Sequence, residues 1–335
     1  MPSNKQQILD NRPEGEAVAS NFKLVTSETP ALKDNQVLVR HHYMSLDPYM
    51  RGRMNESKSY AQPQPLGQVM QGGTVGEIVL SKHPKFAVGD KVVGFGGWQE
   101  YSVVDASQPG MLRKVDTTHV PLSHYLGAVG MPGVTAWYGL VKIINPKAGE
   151  TLVVTAASGA VGSAFGALAK ARGCRVVGIA GGAKKCEYVV KELGFDACVD
   201  YKAGKLADDL RAACPNGIDV NFENVGGAVL DTTLRLARLN ARFIICGLIA
   251  EYNATEAYGY KSLRSILVNR ITMRGMIVFD WKDRYGEAIA GLSELVAQGK
   301  LKYRESIVDG LDNAPRALIG LLKGENFGKQ LVRIA

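Results

Sequence analysis

From residue 150 onward the chain repeats one rhythm, a short apolar run followed by a stretch of helical length, and nothing else in it constrains the fold as strongly. Residues 151–155 (Thr-Leu-Val-Val-Thr) read as a strand, a Gly-containing loop follows, and a helical run extends to Arg172. Strand-like segments at 175–180, 197–199, 218–221 and 241–246 then alternate with helical segments at 183–193, 206–213 and 228–236. Strands and helices alternating at this spacing predict a parallel, doubly wound sheet that collects its ligand at the carboxyl ends of its strands.

The loop after the first of these strands reads Ala157-Ser-Gly-Ala-Val-Gly162, with Gly166 four residues on. Small residues there let backbone approach a pyrophosphate, which meets the unpaired N–H groups and positive end of the helix. The first position is Ala157 instead of Gly, and a tight strand-to-helix packing turn explains the same residues without a ligand. The end of the second strand reports cofactor choice, because an NAD-binding chain places an Asp or Glu there for the ribose 2′-hydroxyl. Here the chain reads Gly181-Gly-Ala-Lys-Lys185, with no carboxylate in that stretch before Glu187. Two ammonium groups favour a 2′-phosphate, and so NADPH; two exposed lysines opening a solvated helix are the simpler alternative.

Before residue 105 the texture differs. Short β-rich runs at 36–40, 72–79, 87–94 and 100–104, broken by Gly-Asp turns, predict a small barrel or sandwich. A helical 313–323 and a strand-like 329–334 close the chain, and that last strand is placed to return to the first domain. With 335 residues to distribute, two domains follow: 1–122 completed by 306–335, and 123–305. The net charge of +8 is scattered and forms no basic run, so no nucleic-acid partner is expected. Charge-free stretches at 120–141 and 151–169 are interrupted by Gly, Pro, Ser or Thr and read as buried segments, not membrane spans. Five cysteines without a C-x-x-C pair, and no apolar leader in the first 25 residues, point to a reducing cytoplasmic setting.

Several chemistries lack their residues. A catalytic zinc of the usual dehydrogenase kind needs Cys and His ligands, yet the first cysteine is Cys174 and the five histidines (His41, His42, His83, His119, His124) form no spaced cluster, so no metal is expected. Tyr-x-x-x-Lys pairs occur at Tyr138/Lys142 and Tyr201/Lys205, but neither lies on the downstream helix where short-chain dehydrogenases use one. Neither a G-x-S-x-G elbow nor a P-loop is present.

Taken jointly, segments 45–53 (Ser-Leu-Asp-Pro-Tyr-Met-Arg-Gly-Arg), 130–136, 156–162, 223–227 (Glu-Asn-Val-Gly-Gly), 246–248 with Tyr252-Asn253, and 321–329 resemble the leukotriene B4 12-hydroxydehydrogenase/prostaglandin reductase family of zinc-independent medium-chain reductases. The resemblance covers the whole chain. It implies a GroES-like β-rich domain beside a Rossmann domain, and NADPH-dependent reduction of the C=C bond of α,β-unsaturated ketones or aldehydes, including diarylheptanoid enones. It also implies a homodimer. Residue by residue, Gly159, Ala160, Val161 and Gly162 resemble the pyrophosphate loop, and Lys185 and Tyr201 the 2′-phosphate grip. Asn224 resembles a contact near the adenosine end, Cys246, Tyr252, Ile277 and Val278 the segments flanking the nicotinamide, and Asn326 a late cofactor-binding asparagine. Tyr252 is the first candidate to orient the enone or donate to its oxygen as charge develops there. Tyr49 is a second substrate-side candidate, and Arg51 beside it is equally a structural ion-pair partner. Residues 254–262 depart from the Pro-rich loop of the family, which leaves the preferred enone open. A quinone reductase of the same architecture and a non-catalytic NADPH-binding protein are the alternatives.

Overall fold

The computed structural model describes residues 2–334. The chain forms two compact units, Met1–Leu126 with Glu305–Ala335, and Gly127–Arg304.

The first unit begins with β1 (Ser3–Leu9) and β2 (Phe22–Glu28), an antiparallel pair running from Ser3 opposite Glu28 to Leu9 opposite Phe22. Polar residues dominate both strands, which hid them from a search for apolar alternation. The long β3 (Gln36–Ser45) extends five residues beyond the 36–40 run. Its register against β4 (Thr74–Ser81) slips between His41 and Tyr43, and such a bulge breaks the period-2 pattern by which a strand is recognised. Between these strands lies α1 (Tyr49–Arg53), and the sheet continues through β5 (Lys91–Gly94), β6 (Tyr101–Asp105) and β7 (Leu112–Lys114). Gly76 has to be glycine: a Cβ there would stand 2.0 Å from the Arg40 carbonyl oxygen.

The second unit opens with α2 (Met131–Tyr138), which runs directly into a wide π-turn over Gly139–Ile144. Then come β8 (Thr151–Thr155), α3 (Ala160–Ala171), β9 (Arg175–Ala180), α4 (Ala183–Lys191), β10 (Ala197–Asp200), α5 (Leu206–Ala213), β11 (Ile218–Glu223), α6 (Gly227–Arg235), β12 (Ala237–Ile245), α7 (Arg264–Val268), β13 (Thr272–Gly275) and α8 (Tyr285–Ala297). The six strands form one parallel sheet in the order β10-β9-β8-β11-β12-β13. Winding outward in both directions from β8, this is the doubly wound arrangement the alternation predicts, with its switch point between β8 and β11. Every residue of β8 is buried, as a central parallel strand covered on both faces must be. β12 starts four residues earlier than 241; the exposed Arg238–Asn240 stretch, with Asn240 at φ +62°, interrupts the continuous apolar run by which a buried strand is recognised.

The chain ends in the first unit with β14 (Glu305–Asp309), α9 (Ala314–Leu322) and β15 (Lys329–Arg333). β15 lies antiparallel to β3, with Leu331 opposite Ser45, and parallel to β14, so the strand-like tail does return to the first unit. The buried face of α9 (Ala314, Ala317, Leu318, Leu321) joins Met44, Leu46, Met50, Met54 and Trp98 in that unit's main core.

Candidate cofactor and catalytic site

The second unit gathers its chemistry along one edge. β8 ends at Thr155, and the turn beyond it is made by Ala156, which holds φ +50°, a left-handed conformation uncommon outside glycine. Gly159 precedes α3 in extended conformation, and no side chain caps that helix, so the first-turn N–H groups of Ala160, Val161 and Gly162 are the donors that helical geometry leaves over. Gly162 is fixed sterically: a Cβ would lie 2.4 Å from the Ala156 carbonyl oxygen, and at Gly166 one would lie 1.8 Å from the Phe195 ring. The glycines that seat α3 against the turn after β8 also leave its uncapped end at the carboxyl edge of the sheet, so packing and an anion site place the same demands on these residues.

One strand over, Gly181 and Gly182 lead into α4, also without a side-chain cap. Lys185 is half-buried in its first turn. Burial, and then the neighbouring Lys202 ammonium, lowers the Lys185 pKa from its ordinary value. Beside the Lys184–Lys185 pair of the 181–185 run, the structure adds a further ammonium near Lys185, that of Lys202, delivered by the end of β10. A Cβ on Gly181 would stand 2.8 Å from the Tyr201 ring and 3.0 Å from Lys202 Cε, so both side chains lie over this bare backbone. The structure therefore places Lys202, a cation that linear reading missed, near both Lys185 and the Tyr201 ring. A carboxylate is also present: Asp200 Oδ1 accepts from Gly182 N at 2.8 Å and Lys202 N at 2.9 Å, and so is committed to backbone.

At the switch point Asn224 follows β11. Its backbone N donates to Thr155 Oγ1 at 2.7 Å and its Nδ2 to the Thr155 carbonyl at 2.9 Å, which pins the ends of β8 and β11 together. Glu223 before it opens the 223–227 segment but is assigned no role of its own from sequence. Fully buried, it accepts from Thr155 Oγ1, Val225 N and Gly226 N through Oε1 and from Asn221 Nδ2 through Oε2. Burial outweighs these bonds and raises its pKa. Its carbonyl also receives the N–H groups of Cys246 and Gly247. Burial, then Glu223, pushes the Cys246 thiol up to about 12, so Cys246 is a protonated, unreactive group at the end of β12.

The segment after β12 is laced onto the one after β11, Ile249 N to Asn224 O and Ala250 N to Val225 O. This places Tyr252, whose Oη accepts from Leu248 N at 3.2 Å. A hydroxyl that accepts a bond is polarised towards donating its own proton. The divergent 254–262 stretch is tied down: Tyr260 donates to Glu251 Oε1 at 2.5 Å, and Asp231 Oδ1 accepts from Lys261 N and Ser262 N. Beyond β13, Met276 N bonds Ile245 O, which sets Ile277 and the buried Val278 at the same edge.

Tyr49 and Asn326 belong to the first unit. Tyr49 opens α1, with the Arg53 guanidinium 5.5 Å from its ring centre; burial, then Asp47, raises its phenol well above the ordinary value. Arg51 donates to Asn55 Oδ1 and to the Gly15 carbonyl, which ties α1 to the N-terminal segment. Asn326 Nδ2 closes a local turn onto Gly328 O at 2.7 Å. Lys329 connects the two segments: its buried ammonium donates to Leu46 O and Asp47 Oδ1, both at 2.7 Å, while Ser45 Oγ bonds the other Asp47 oxygen. Both residues fall in the 45–53 and 321–329 segments, but neither is assigned a role there, because the pairing of a loop Asp with a strand Lys 282 residues on shows only in the fold.

Residues 5–112 match the family described as N-terminal domain of oxidoreductase, and residues 160–294 the one described as zinc-binding dehydrogenase. NADPH-dependent curcumin reductase of Escherichia coli is 46% identical to the chain, covering 99% of it and 97% of the relative. Prostaglandin reductase 1 of Oryctolagus cuniculus is 40% identical, covering 97% and 92%. The chain belongs to the leukotriene B4 12-hydroxydehydrogenase/prostaglandin reductase family. A solved structure of this family, CurA of Vibrio vulnificus in complex with NADPH, superposes with a TM-score of 0.93 at 47% identity, over 99% of both chains. The word zinc in the second family description does not fit the donors of this chain. Among the described residues no group of three or more His, Cys, Asp or Glu side chains could hold a metal ion. His41, the most buried histidine, is held neutral with its pKa lowered to about 3 by burial and is bonded to Ser102 Oγ.

Proposed function

We propose that this chain reduces the C=C bond of α,β-unsaturated ketones and aldehydes with NADPH. The observation that carries the cofactor half is the Lys185–Lys202 pair with Tyr201 at the ends of β9 and β10, one strand from the uncapped α3. Two ammonium groups held together raise each other's energy, and a doubly charged phosphate between them relieves it. Gly159, Ala160, Val161 and Gly162 donate to the pyrophosphate. Asn224, Cys246, Tyr252, Ile277 and Val278 line the edge that leads to the nicotinamide, and Asn326 is the late cofactor-binding asparagine that the family resemblance implies. Functionally the chain divides at 122 and 306, with 123–305 holding the cofactor and 1–122 with 306–335 shaping the substrate side.

The substrate half rests on kinship with enzymes named for curcumin, itself a conjugated dienone, and for prostaglandins. Bound NADPH supplies a hydride for the alkene carbon β to the carbonyl. Tyr252 orients the substrate and donates to its oxygen as negative charge gathers there, a contact stronger in the transition state than in the ground state. Tyr49, kept protonated by its surroundings, is a second donor on the substrate side. The donor set holds no metal, and none is needed to activate an alkene already polarised by its carbonyl.

The enzyme acts as a cytoplasmic homodimer in this reading. Supporting the dimer, β13 forms an outer edge of the parallel sheet with all four residues exposed, beside exposed Leu239, Leu263, Leu267 and Val268. A second copy pairing antiparallel along that edge would cover both the open strand and the apolar surface. Supporting the compartment, all five cysteines are free thiols. No helix among the described residues is long and apolar enough to cross a membrane.

The decisive assay follows NADPH oxidation over 2-alkenals, 2-alkenones, diarylheptanoid enones and quinones. Turnover on enones with product saturated at the former double bond is expected. Turnover on quinones alone would replace this reading by a quinone reductase, and NADPH binding with no turnover on any of them would make the chain a non-catalytic binder.

A further inference from the structure

Two cysteines adjoin the phosphate grip, and nothing in the chemistry above uses them. Cys186 lies in the first turn of α4, immediately after Lys185; Cys198 lies on β10, three and four residues before Tyr201 and Lys202. Their thiols are hydrogen-bonded to each other, and the Ala180 backbone, at the end of β9, bonds to the same pair. Packing places them independently. β10 sets Cys198 opposite Gly178 of β9, where a Cβ would stand 3.3 Å from Cys198 Sγ and 2.9 Å from Val189 of α4. Cys198 thus points to the sheet face that α4 covers, the face towards which Cys186 descends. Neither residue is fully buried.

We propose that Cys186 and Cys198 form a redox-active dithiol, which a hydroperoxide converts to a disulfide that loosens the hold on the NADPH 2′-phosphate. The second clause rests on the cofactor reading above. Cys186 is the nucleophile, because it lies in the first turn of α4, a helix without a side-chain cap whose N-terminal dipole favours a thiolate. Burial pushes Cys174, Cys214 and Cys246 up instead, which leaves Cys186 as the thiol primed for ionisation. The Cys186 thiolate attacks the peroxide O–O bond, taking one oxygen as a sulfenic acid and releasing hydroxide or alkoxide. Cys198 sulfur then displaces the sulfenic oxygen as water, forming the S–S bond. Two electrons leave the two sulfurs and reduce the peroxide oxygens, and both thiol protons end in the products. Shortening a hydrogen-bonded sulfur pair to a bond of about 2.05 Å draws the first turn of α4 towards β10. Lys185 rides on that turn, next to Lys202.

The test uses the full-length protein, reduced and then titrated with hydrogen peroxide. Peptide mapping without reductant should find 186–198 linked with the loss of two hydrogens, and NADPH affinity should fall about tenfold, the loss of one charge-assisted bond, while NADH affinity changes far less. Dithiothreitol should restore it. In Cys198→Ser, peroxide should leave a sulfenic acid at Cys186 that dimedone captures. Full alkylation of both thiols after peroxide treatment would overturn the dithiol. Lys185→Ala separates the two claims. If it weakens NADPH binding and the disulfide does not, the coupling is overturned; if neither does, the cofactor reading has failed and the dithiol stands.

Discussion

Replacing Lys329 by Met tests how the first unit holds its substrate-side segment. The ammonium is 2% exposed and Asp47 8%, and the two are bonded at 2.7 Å. Methionine keeps the apolar stem but leaves the Asp47 carboxylate without its ammonium partner and takes a donor from the Leu46 carbonyl. Breaking a buried ion pair by removing one partner costs about 3–5 kcal/mol, because the remaining charge stays desolvated. At roughly 2–4 °C per kcal/mol for a domain of about 150 residues or more, the first unit's melting point should fall by about 6–20 °C. Asp47→Asn should cost a similar amount, whereas the double variant Asp47→Asn/Lys329→Met leaves no orphaned charge and should cost at least about 2 kcal/mol less than the sum of the single changes. Unfolding is best read by 19F NMR of protein labelled with 5-fluorotryptophan. Trp98, fully buried and stacked on Phe22, reports on the first unit, while Trp137 and Trp281 report on the second. Additive losses in the double variant, or a first unit that melts unchanged in Lys329→Met, would refute the claim that this pair organises the 45–49 segment.

Other expectations are as specific. Lys185→Ala and Lys202→Ala should each narrow the preference for NADPH over NADH by about tenfold, through loss of one charge-assisted contact, with NADH affinity little changed; an unaltered preference ratio would remove the 2′-phosphate assignment. Tyr252→Phe should lower kcat/KM on an enone by about 10- to 100-fold while the NADPH Kd stays put; equal losses in both would mean that Tyr252 only shapes the loop. Because burial lowers His41 to about 3, the unfolded chain binds a proton at His41 that the folded chain refuses, so its contribution to stability is complete above pH 6.5 and is lost as pH falls towards 3. His41→Gln should flatten the pH dependence of unfolding in that window by up to about 1.4 kcal/mol per pH unit, and a slope identical to wild type would contradict it. Gly162→Ala should prevent proper seating of α3, since its Cβ would enter the Ala156 carbonyl at 2.4 Å; soluble protein with undiminished NADPH affinity would count against the role given to that glycine.

Which parts of this were legible in sequence follows from the range of the interactions concerned. The βα alternation showed because each parallel strand is buried on both faces and so is written as a continuous apolar run, as in 151–155 and 175–180. The small-residue loop after β8 showed because steric demands between adjacent elements select small residues within a few positions. β1 and β2 did not show, because a polar two-stranded ribbon leaves no apolar period, and β3 was cut short because its bulge at His41–Tyr43 interrupts one. In the candidate site the same distinction holds. Lys185 could be named because it follows its strand directly, whereas Lys202 reaches it only through the pairing of β10 with β9.

Glu223 and Lys329 mark the limit of that legibility. Each is a charged residue on a strand, a type that in sequence predicts a solvated face, and each is buried because a partner far along the chain supplies the compensating bonds: Thr155 for Glu223, Asp47 for Lys329. An ionisable group is retained in such a place at a cost of several kcal/mol, and hydrophobic residues of like volume would often be at least as stable. What the two groups add is direction. Glu223 fixes the carbonyl and turn that receive Cys246, Gly247 and the approach to Tyr252, and Lys329 fixes the turn that presents Tyr49. Each buried charge thus acts on a candidate tyrosine only through backbone, Glu223 through the 246–248 turn and Lys329 through the 46–47 segment, and a shift of that backbone would carry the phenol with it.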